Sequence, residues 1–242
     1  MIFAPERHPK ITAMMSTSHL NATIADAEAR IAAGERSAAP YLQRGSALVG
    51  LGRYADALVD FDFAAIIDSG NGSVRVARAE VLLQLDRVSA AMDDLDAALE
   101  IEPNQAAGWL LRGVAKLRNG DWPASESDCT RAITLGSDDF VVWKTRGRAR
   151  HQLGDIAASV DDYDRAIESR PDDVECLYWR GLSRRDLGDH ARAIADFTRA
   201  IDMDPLFSQA YVSRGKSRSA LGDMAAARAD WTMAAQLLHH SH

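Results

Sequence analysis

A dense cluster of basic side chains lies in residues 143–155, WKTRGRARHQLGD, which contain one lysine, three arginines and a histidine. Cations this closely spaced could bind phosphate or carboxylate groups. The chain as a whole is acidic, however, because its 242 residues carry 35 Asp and Glu against 28 Lys and Arg. The composition therefore does not indicate a general polyanion-binding protein, and the local charge needs another explanation.

The same pattern recurs along the chain at a fixed spacing of 34 residues. LYWRGLSRRDLGD and YVSRGKSRSALGD begin at residues 177 and 211, and related stretches begin at residues 41, 75 and 109. A period of this length is typical of repeat proteins in which each unit packs on its neighbours. The phase divides most of the chain into six contiguous units: 38–71, 72–105, 106–139, 140–173, 174–207 and 208–241.

Each unit is predicted to form two antiparallel helices. In residues 174–207, two segments with helical apolar periodicity flank Gly188 and Asp189. The glycine suits the end of the first helix, and the aspartate can cap the start of the second. Small residues recur at the eighth, twentieth and twenty-seventh places of the units, which indicates helices that pack at close range.

These features resemble the tetratricopeptide repeat (TPR) family. The family pattern of aromatic, glycine, alanine, aromatic, alanine and proline corresponds in the fourth unit to Trp143, Gly147, Ser159, Tyr163, Ala166 and Pro171. The resemblance implies an all-α, right-handed superhelical solenoid of six helical hairpins over residues 38–241. We expect residues 18–37 to form an N-terminal capping helix and residues 1–17 to be disordered.

Arginine occupies the seventh place and aspartate the twenty-third place of every unit. Both places lie eight residues from the turn, so an antiparallel hairpin brings them to the same level. We interpret them as structural ion pairs within each hairpin and not as a ligand-binding ladder. The predicted pairs are Arg44–Asp60, Arg78–Asp94, Arg112–Asp128, Arg146–Asp162, Arg180–Asp196 and Arg214–Asp230.

The remaining basic residues concentrate in the first half of the units and the acidic residues in the second half. In TPR folds the first helices line a concave groove, so the resemblance implies a basic groove on an acidic body. The predicted groove residues are Lys144, Arg148, His151, Tyr178, Arg185 and Lys216. Such a groove favours a non-catalytic scaffold that binds an acidic, extended segment of another protein. The alternative is a solvated charged surface with no partner.

Three further questions stay open at this stage. Arg150, Arg184 and Arg218 share the eleventh place and could pack against a neighbouring hairpin or contact a ligand. The groove could track single-stranded nucleic acid with Tyr178 and Trp179 as stacking platforms, but the net charge of −7 argues against this. The C-terminal end lacks a further solvating helix, so Met233, Leu237 and Leu238 could form a homodimer or assembly interface.

The sequence offers no sign of catalysis. Phosphate-loop, zinc-protease and nucleophile-elbow motifs are absent, and no cofactor or metal is predicted. No apolar run is long enough for a signal peptide or a membrane span, which favours a cytoplasmic protein with no membrane partner. Cys129 and Cys176 occupy core places of the repeat and are predicted to be buried free thiols.

Overall fold

The computed structural model describes residues 16–239, and within them the regular structure is entirely helical. The predicted all-α class is therefore confirmed. In chain order the helices are α1 Thr17–Ala32, α2 Ala39–Gly50, α3 Tyr54–Ile67, α4 Gly72–Gln84, α5 Val88–Ile101, α6 Ala106–Arg118, α7 Trp122–Thr134, α8 Phe140–Leu153, α9 Ile156–Ser169, α10 Val174–Asp186, α11 His190–Met203, α12 Ser208–Ala220 and α13 Met224–His239.

The segment before the repeats forms α1, which packs on α2. Ser16 caps α1, because its side-chain oxygen accepts a hydrogen bond from the backbone N–H of His19 at 3.2 Å. The helix thus begins one residue before the predicted boundary at residue 18 and ends at Ala32. Residues 1–15, most of the segment predicted to be disordered, lie outside the described residues.

From α2 onward the helices follow one another in pairs joined by short turns, at the positions that the 34-residue period indicates. Gly188 lies in the turn between α10 and α11. Its φ of 81° is a left-handed conformation that glycine adopts without a Cβ clash. Asp86 holds the same place in its own turn with a φ of 57°. The next helix, α11, is capped by Asp189, which accepts a hydrogen bond from the backbone N–H of Arg192 at 3.1 Å.

The chain divides into two compact units, Met1–Asn119 (unit 1) and Gly120–His242 (unit 2). In unit 1 the core joins Phe61 and Leu95 with apolar side chains from α2 to α6. In unit 2 the repeat position that corresponds to Phe61 is occupied by Tyr163 and Phe197, both fully buried.

The predicted buried thiols are confirmed, since Cys129 and Cys176 are both unpaired and inaccessible to solvent. Burial raises the pKa of each thiol well above its usual range.

The recurring small residues of the repeats let facing helices approach closely. The alanine at the twenty-seventh place of each 34-residue repeat is at most 2 % exposed. At Gly181 on α10, an added Cβ would lie 2.7 Å from Cε1 of Phe197 on α11. The glycine is therefore needed for the helix contact itself, because the aromatic ring occupies the space that a side chain would take.

Five of the six hairpins lie wholly within unit 1 or wholly within unit 2. In each of these five, the predicted arginine and aspartate are joined by two hydrogen bonds. These bidentate pairs are Arg44–Asp60, Arg78–Asp94, Arg146–Asp162, Arg180–Asp196 and Arg214–Asp230. The third hairpin is divided between the units: Arg112 binds Asp96 at 2.7 Å in unit 1, and Asp128 is buried in unit 2.

The arginines of the eleventh place reinforce the same aspartates. Arg150 Nη1 donates to Asp162 Oδ2 at 3.0 Å, and Arg184 and Arg218 make the equivalent bonds at 2.8 and 2.9 Å to the aspartates of their own hairpins. Arg150 also donates to Glu126 at 2.9 Å. The open choice between packing and ligand contact is thus answered for these three residues: they take part in the hairpin ion-pair network.

Candidate functional site

All six predicted groove residues lie in unit 2, on the first helices of three consecutive hairpins, α8, α10 and α12. We call the side of these helices that carries Lys144, Arg148, His151, Tyr178, Arg185 and Lys216 the first-helix face. The helices α8 and α12 both contact α10, so α10 lies between them. Residues at corresponding places of the repeat thus become neighbours on one face.

Two cations from α8 converge on one carboxylate from α10. Lys144 Nζ lies 2.7 Å from Oε2 of Glu175, and Arg148 Nη1 lies 3.2 Å from Oε1 of the same residue. Lys144 and Arg148 are four residues apart and therefore project from the same side of α8. Each oxygen of the Glu175 carboxylate consequently has its own cation, and Asp173 adds a second, more distant acid 3.7 Å from Lys144 Nζ.

The three members of this cluster differ in their access to solvent. The Lys144 side chain is 11 % exposed and that of Arg148 17 % exposed, whereas that of Glu175 is 37 % exposed. The Arg148 guanidinium lies over the ring of Trp179, 4.0 Å from its centroid, and the Lys144 ammonium lies 5.5 Å from the Phe140 ring. The cations are therefore held against aromatic rings beneath the carboxylate, which is the most accessible of the three groups.

Sequence reasoning did not identify Glu175 as a site residue. It lies on α10, a first helix of the repeat, and the first helices were expected to line the groove, so its position on this face was predictable. Its pairing with Lys144 and Arg148 could not be predicted, because those two residues belong to the preceding 34-residue repeat. They are separated from Glu175 by 31 and 27 positions. The predicted basic face thus contains its own acidic partner.

A second group of charges on this face is also internally paired. His151 Nδ1 lies 3.0 Å from Ser183 Oγ, and its Nε2 lies 3.8 Å from Asp186 Oδ2. Arg185 donates to the same Asp186 at 2.8 Å. Burial lowers the pKa of His151, against the opposing effect of the Asp186 carboxylate. His151 is therefore neutral at neutral pH and adds no positive charge to the face there.

This lowered pKa predicts a pH dependence of stability. In the folded protein the pKa of His151 lies below the unfolded value near 6.5, so below that pH the unfolded chain takes up the proton more readily. Stability is lost as the pH falls from about 6.5 through the folded pKa. We expect His151→Gln to lose less stability than the wild type between pH 7.5 and 5.5 in urea unfolding. An unchanged pH dependence would contradict the assignment, and His190→Gln controls for the removal of a histidine.

The aromatic residues of the face are packed against each other. Tyr178 contacts the rings of Phe207 and Phe197, with centroids 4.8 and 5.8 Å away, and is half-buried. Trp179 has the Arg148 guanidinium over its ring and makes a T-shaped contact with the ring of His151, with centroids 5.5 Å apart. Stacking of nucleic-acid bases needs an accessible aromatic face. Both rings are partly exposed, and these contacts cover part of each of them.

Lys216 on α12 differs from the other predicted groove residues because it is exposed. It forms no ion pair within the part of the chain that the structure describes. The first-helix face thus carries two groups of cations. One is the exposed Lys216 on α12, and the other is the pair Lys144 and Arg148 on α8, which binds Glu175 of α10. An extended chain that crosses both helices would meet positive charge at two points.

The predicted C-terminal interface is partly exposed. Met233 and Leu238 on α13 are 41 % and 56 % exposed, whereas Leu237 packs against a cluster that contains Ile201 and Tyr211. Two of the three apolar residues are thus available to a partner, and the third contributes to the core of unit 2.

The described residues show no metal-binding group and no membrane-spanning helix. Between residues 16 and 239, no three His, Cys, Asp or Glu side chains are grouped so that they could hold a metal ion. The histidines of the C-terminal tail beyond His239 lie outside the described residues. Over the same range, every helix is too short or too polar to cross a bilayer.

Solved structures with similar folds are TPR proteins. YrrB, described as a TPR protein with an unusual peptide-binding site, has a TM-score of 0.66 at 17 % identity over 73 % of this chain and 91 % of its own. A TPR protein from Parabacteroides merdae has a TM-score of 0.65 at 18 % identity over 96 % and 91 %. MamA from Desulfovibrio magneticus has a TM-score of 0.64 at 16 % identity over 70 % and 96 %. These identities establish a common fold only.

Sequence comparison leads to the same family. Curated proteins give no match. Two family models described as tetratricopeptide repeat match residues 48–117 and, in overlapping copies, residues 144–206 and 180–236. Because these segments together extend over more than half of the chain, the protein belongs to the tetratricopeptide repeat family.

Proposed function

We propose that this protein is a non-catalytic interaction scaffold and that its first-helix face binds an acidic, extended segment of a partner protein. Tetratricopeptide repeats generally act as protein–protein interaction scaffolds. The observation that carries the finer proposal is the convergence of Lys144 and Arg148 on the carboxylate of Glu175. A pair of cations arranged around one carboxylate is a site built to hold a carboxylate.

Glu175 acts in this proposal as an internal occupant that a partner displaces. Its side chain is the most accessible member of the cluster, so it can rotate into water while the cations stay in place against Trp179 and Phe140. A partner carboxylate then takes its position, and a second acidic group can reach the exposed Lys216. The exchange replaces one ion pair by another, so affinity depends on the additional contacts and binding is of moderate strength.

Removing the internal carboxylate is expected to strengthen binding. Glu175→Gln leaves the cations without their best acceptor, and we expect affinity for an acidic partner to rise about ten-fold, equivalent to about 1.4 kcal/mol. The measurement is fluorescence anisotropy with a labelled oligo-glutamate peptide and with partners captured from lysate of the source cell. The matched control is Glu168→Gln on α9, which removes the same single negative charge from a side chain that is 70 % exposed.

Reversing the charge of the cations is expected to abolish the same binding. Lys144→Glu/Arg148→Glu is compared with Arg165→Glu/Arg192→Glu, which changes the net charge equally on the exposed second helices α9 and α11. Loss in the first variant alone supports the first-helix face. Partners retained by both variants would contradict it and favour the alternative function, assembly through the exposed Met233 and Leu238 of α13.

A further inference from the structure

An apolar stripe lies on the solvent side of α3 in unit 1, far in sequence from the site described above. Val59, Phe63, Ile66 and Ile67 are 53 %, 48 %, 77 % and 43 % exposed. Their spacing of four, seven and eight residues places them along one side of the helix. We call these four residues the α3 stripe. Exposed large side chains at this density along one helix are unusual for a surface that faces water.

The other second helices carry different residues at the places of Val59 and Ile66. The twenty-second place is elsewhere Asp93, Ser127, Asp161, Ala195 and Ala229. The twenty-ninth place is elsewhere Glu100, Thr134, Glu168, Asp202 and Gln236. A large apolar residue at both places is thus peculiar to α3. The repeat fold itself does not need apolar side chains there, because five other copies of the hairpin form without them.

The surroundings of the α3 stripe hold it in place and leave little net charge beside it. Tyr41 stacks on Phe63 with ring centroids 5.5 Å apart and an interplanar angle of 27°. Two acids beside the stripe are each paired with a cation: Asp56 binds Arg53 at 2.7 Å, and Asp62 binds Arg78 at 3.0 Å. A third, Asp68 at the end of the helix, accepts a hydrogen bond from Nδ2 of Asn71 at 2.9 Å. A second copy of this acidic protein can therefore approach the middle of α3 with the neighbouring carboxylates of Asp56 and Asp62 already paired.

The area of the α3 stripe fits a small homodimer. The exposed fractions of the four side chains correspond to on the order of 400 Å² of apolar surface. A standard interface buries about 800 Å² per partner, somewhat more than half of it apolar. The stripe thus supplies most of the apolar component that one side of a stable dimer needs. A two-fold interface pairs the same patch of both copies, and an apolar stripe along one helix can pack on its own copy in this way.

We propose that the α3 stripe is a homodimerisation surface, with α3 of one copy packed on α3 of a second about a two-fold axis. The contact buries Val59, Phe63 and Ile66 of both copies, and none of these residues belongs to the first-helix face of unit 2. The dimer therefore presents two copies of the peptide-binding site, and a partner with two acidic segments gains avidity from it. The dimer itself does not depend on the proposed peptide binding.

The test is the concentration dependence of mass by sedimentation equilibrium, with repeat-matched substitutions. Val59→Asp/Ile66→Glu installs the residues that α5 and α9 carry at these places, so the hairpin is expected to fold normally. We expect the wild type to dimerise and this variant to show a dissociation constant raised at least about ten-fold. Leu238→Glu on α13, also at an exposed apolar residue, is expected to dimerise like the wild type.

A cross-linking measurement keeps the proposal falsifiable if the charged variant is poorly behaved. Val59→Cys/Ile66→Cys is oxidised mildly, and the natural cysteines do not interfere because both are buried. We expect a disulfide-linked dimer, and no such product from Leu206→Cys, which is 74 % exposed but lies outside the stripe. A monomeric wild type at high concentration, a dimer that survives in Val59→Asp/Ile66→Glu, or a dimer lost only in Leu238→Glu would each overturn the proposal.

Discussion

Replacing Asp162 with alanine is expected to lower the local free energy of unfolding by about 3–5 kcal/mol. Asp162 is 2 % exposed and accepts hydrogen bonds from Arg146 Nε at 3.0 Å, Arg146 Nη2 at 2.7 Å and Arg150 Nη1 at 3.0 Å. The substitution removes one carboxylate and leaves two guanidinium groups, 11 % and 19 % exposed, with their main acceptor gone. The cost arises from these cations and not from the lost aspartate alone.

The measurement is hydrogen exchange of the α8 and α9 amides, because the stability of a repeat array is distributed among its units. Asp161→Ala is the matched control: it is the preceding residue on the same helix but exposed, and its expected effect is within about 0.5 kcal/mol. If Asp162→Ala and Asp161→Ala reduced protection equally, the interpretation of Asp162 as the centre of a structural ion-pair network would be wrong.

Introducing valine at Gly181 is expected to destabilise the α10–α11 hairpin by about 1–3 kcal/mol. A Cβ at this position would lie 2.7, 2.9 and 3.0 Å from three ring atoms of Phe197, which is fully buried. The ring cannot move away without displacing other core side chains. Valine has only a small advantage over glycine in helix propensity, so the steric clash decides the sign.

A double-mutant cycle separates this clash from a general effect of the substitution. In a Phe197→Leu background the cost of Gly181→Val is expected to fall, because leucine leaves space where the aromatic ring was. Gly70→Val provides the control, since no atom lies within 4 Å of a Cβ at that glycine. Urea unfolding monitored by circular dichroism measures all four combinations and the control. Additive effects of the two substitutions would show that the two residues do not compete for space.

Much of the fold was predictable because each signal for it lies within one 34-residue unit. The turn at Gly188, the cap at Asp189 and the pairing of Arg146 with Asp162 each depend on residues of a single hairpin, whose geometry follows from helix rise and turn length. Repetition then strengthened each inference, since the same residue types recur at the same places. The interactions that the period predicts are those made within the repeating element.

The candidate site was predictable only in part, because its decisive contact joins two different hairpins. Lys144 and Arg148 were identified as groove cations, but the period says nothing about which residue of the next unit faces them. The offset between α8 and α10 brings Glu175 within 3.2 Å of Arg148. That offset results from side-chain packing between neighbouring hairpins, a tertiary property.

The sequence by itself determined the helical hairpins, their register and the arginine–aspartate pairs within them. Only the tertiary structure decided which charges remain accessible and which apolar side chains stay in water. Most residues of α3 are apolar, which would suggest a buried helix, yet Ile66 is 77 % exposed because the packing of α3 uses only its other side. The physical reason is general: periodicity determines which side chains share a helix face, and the neighbouring helices determine which face is covered.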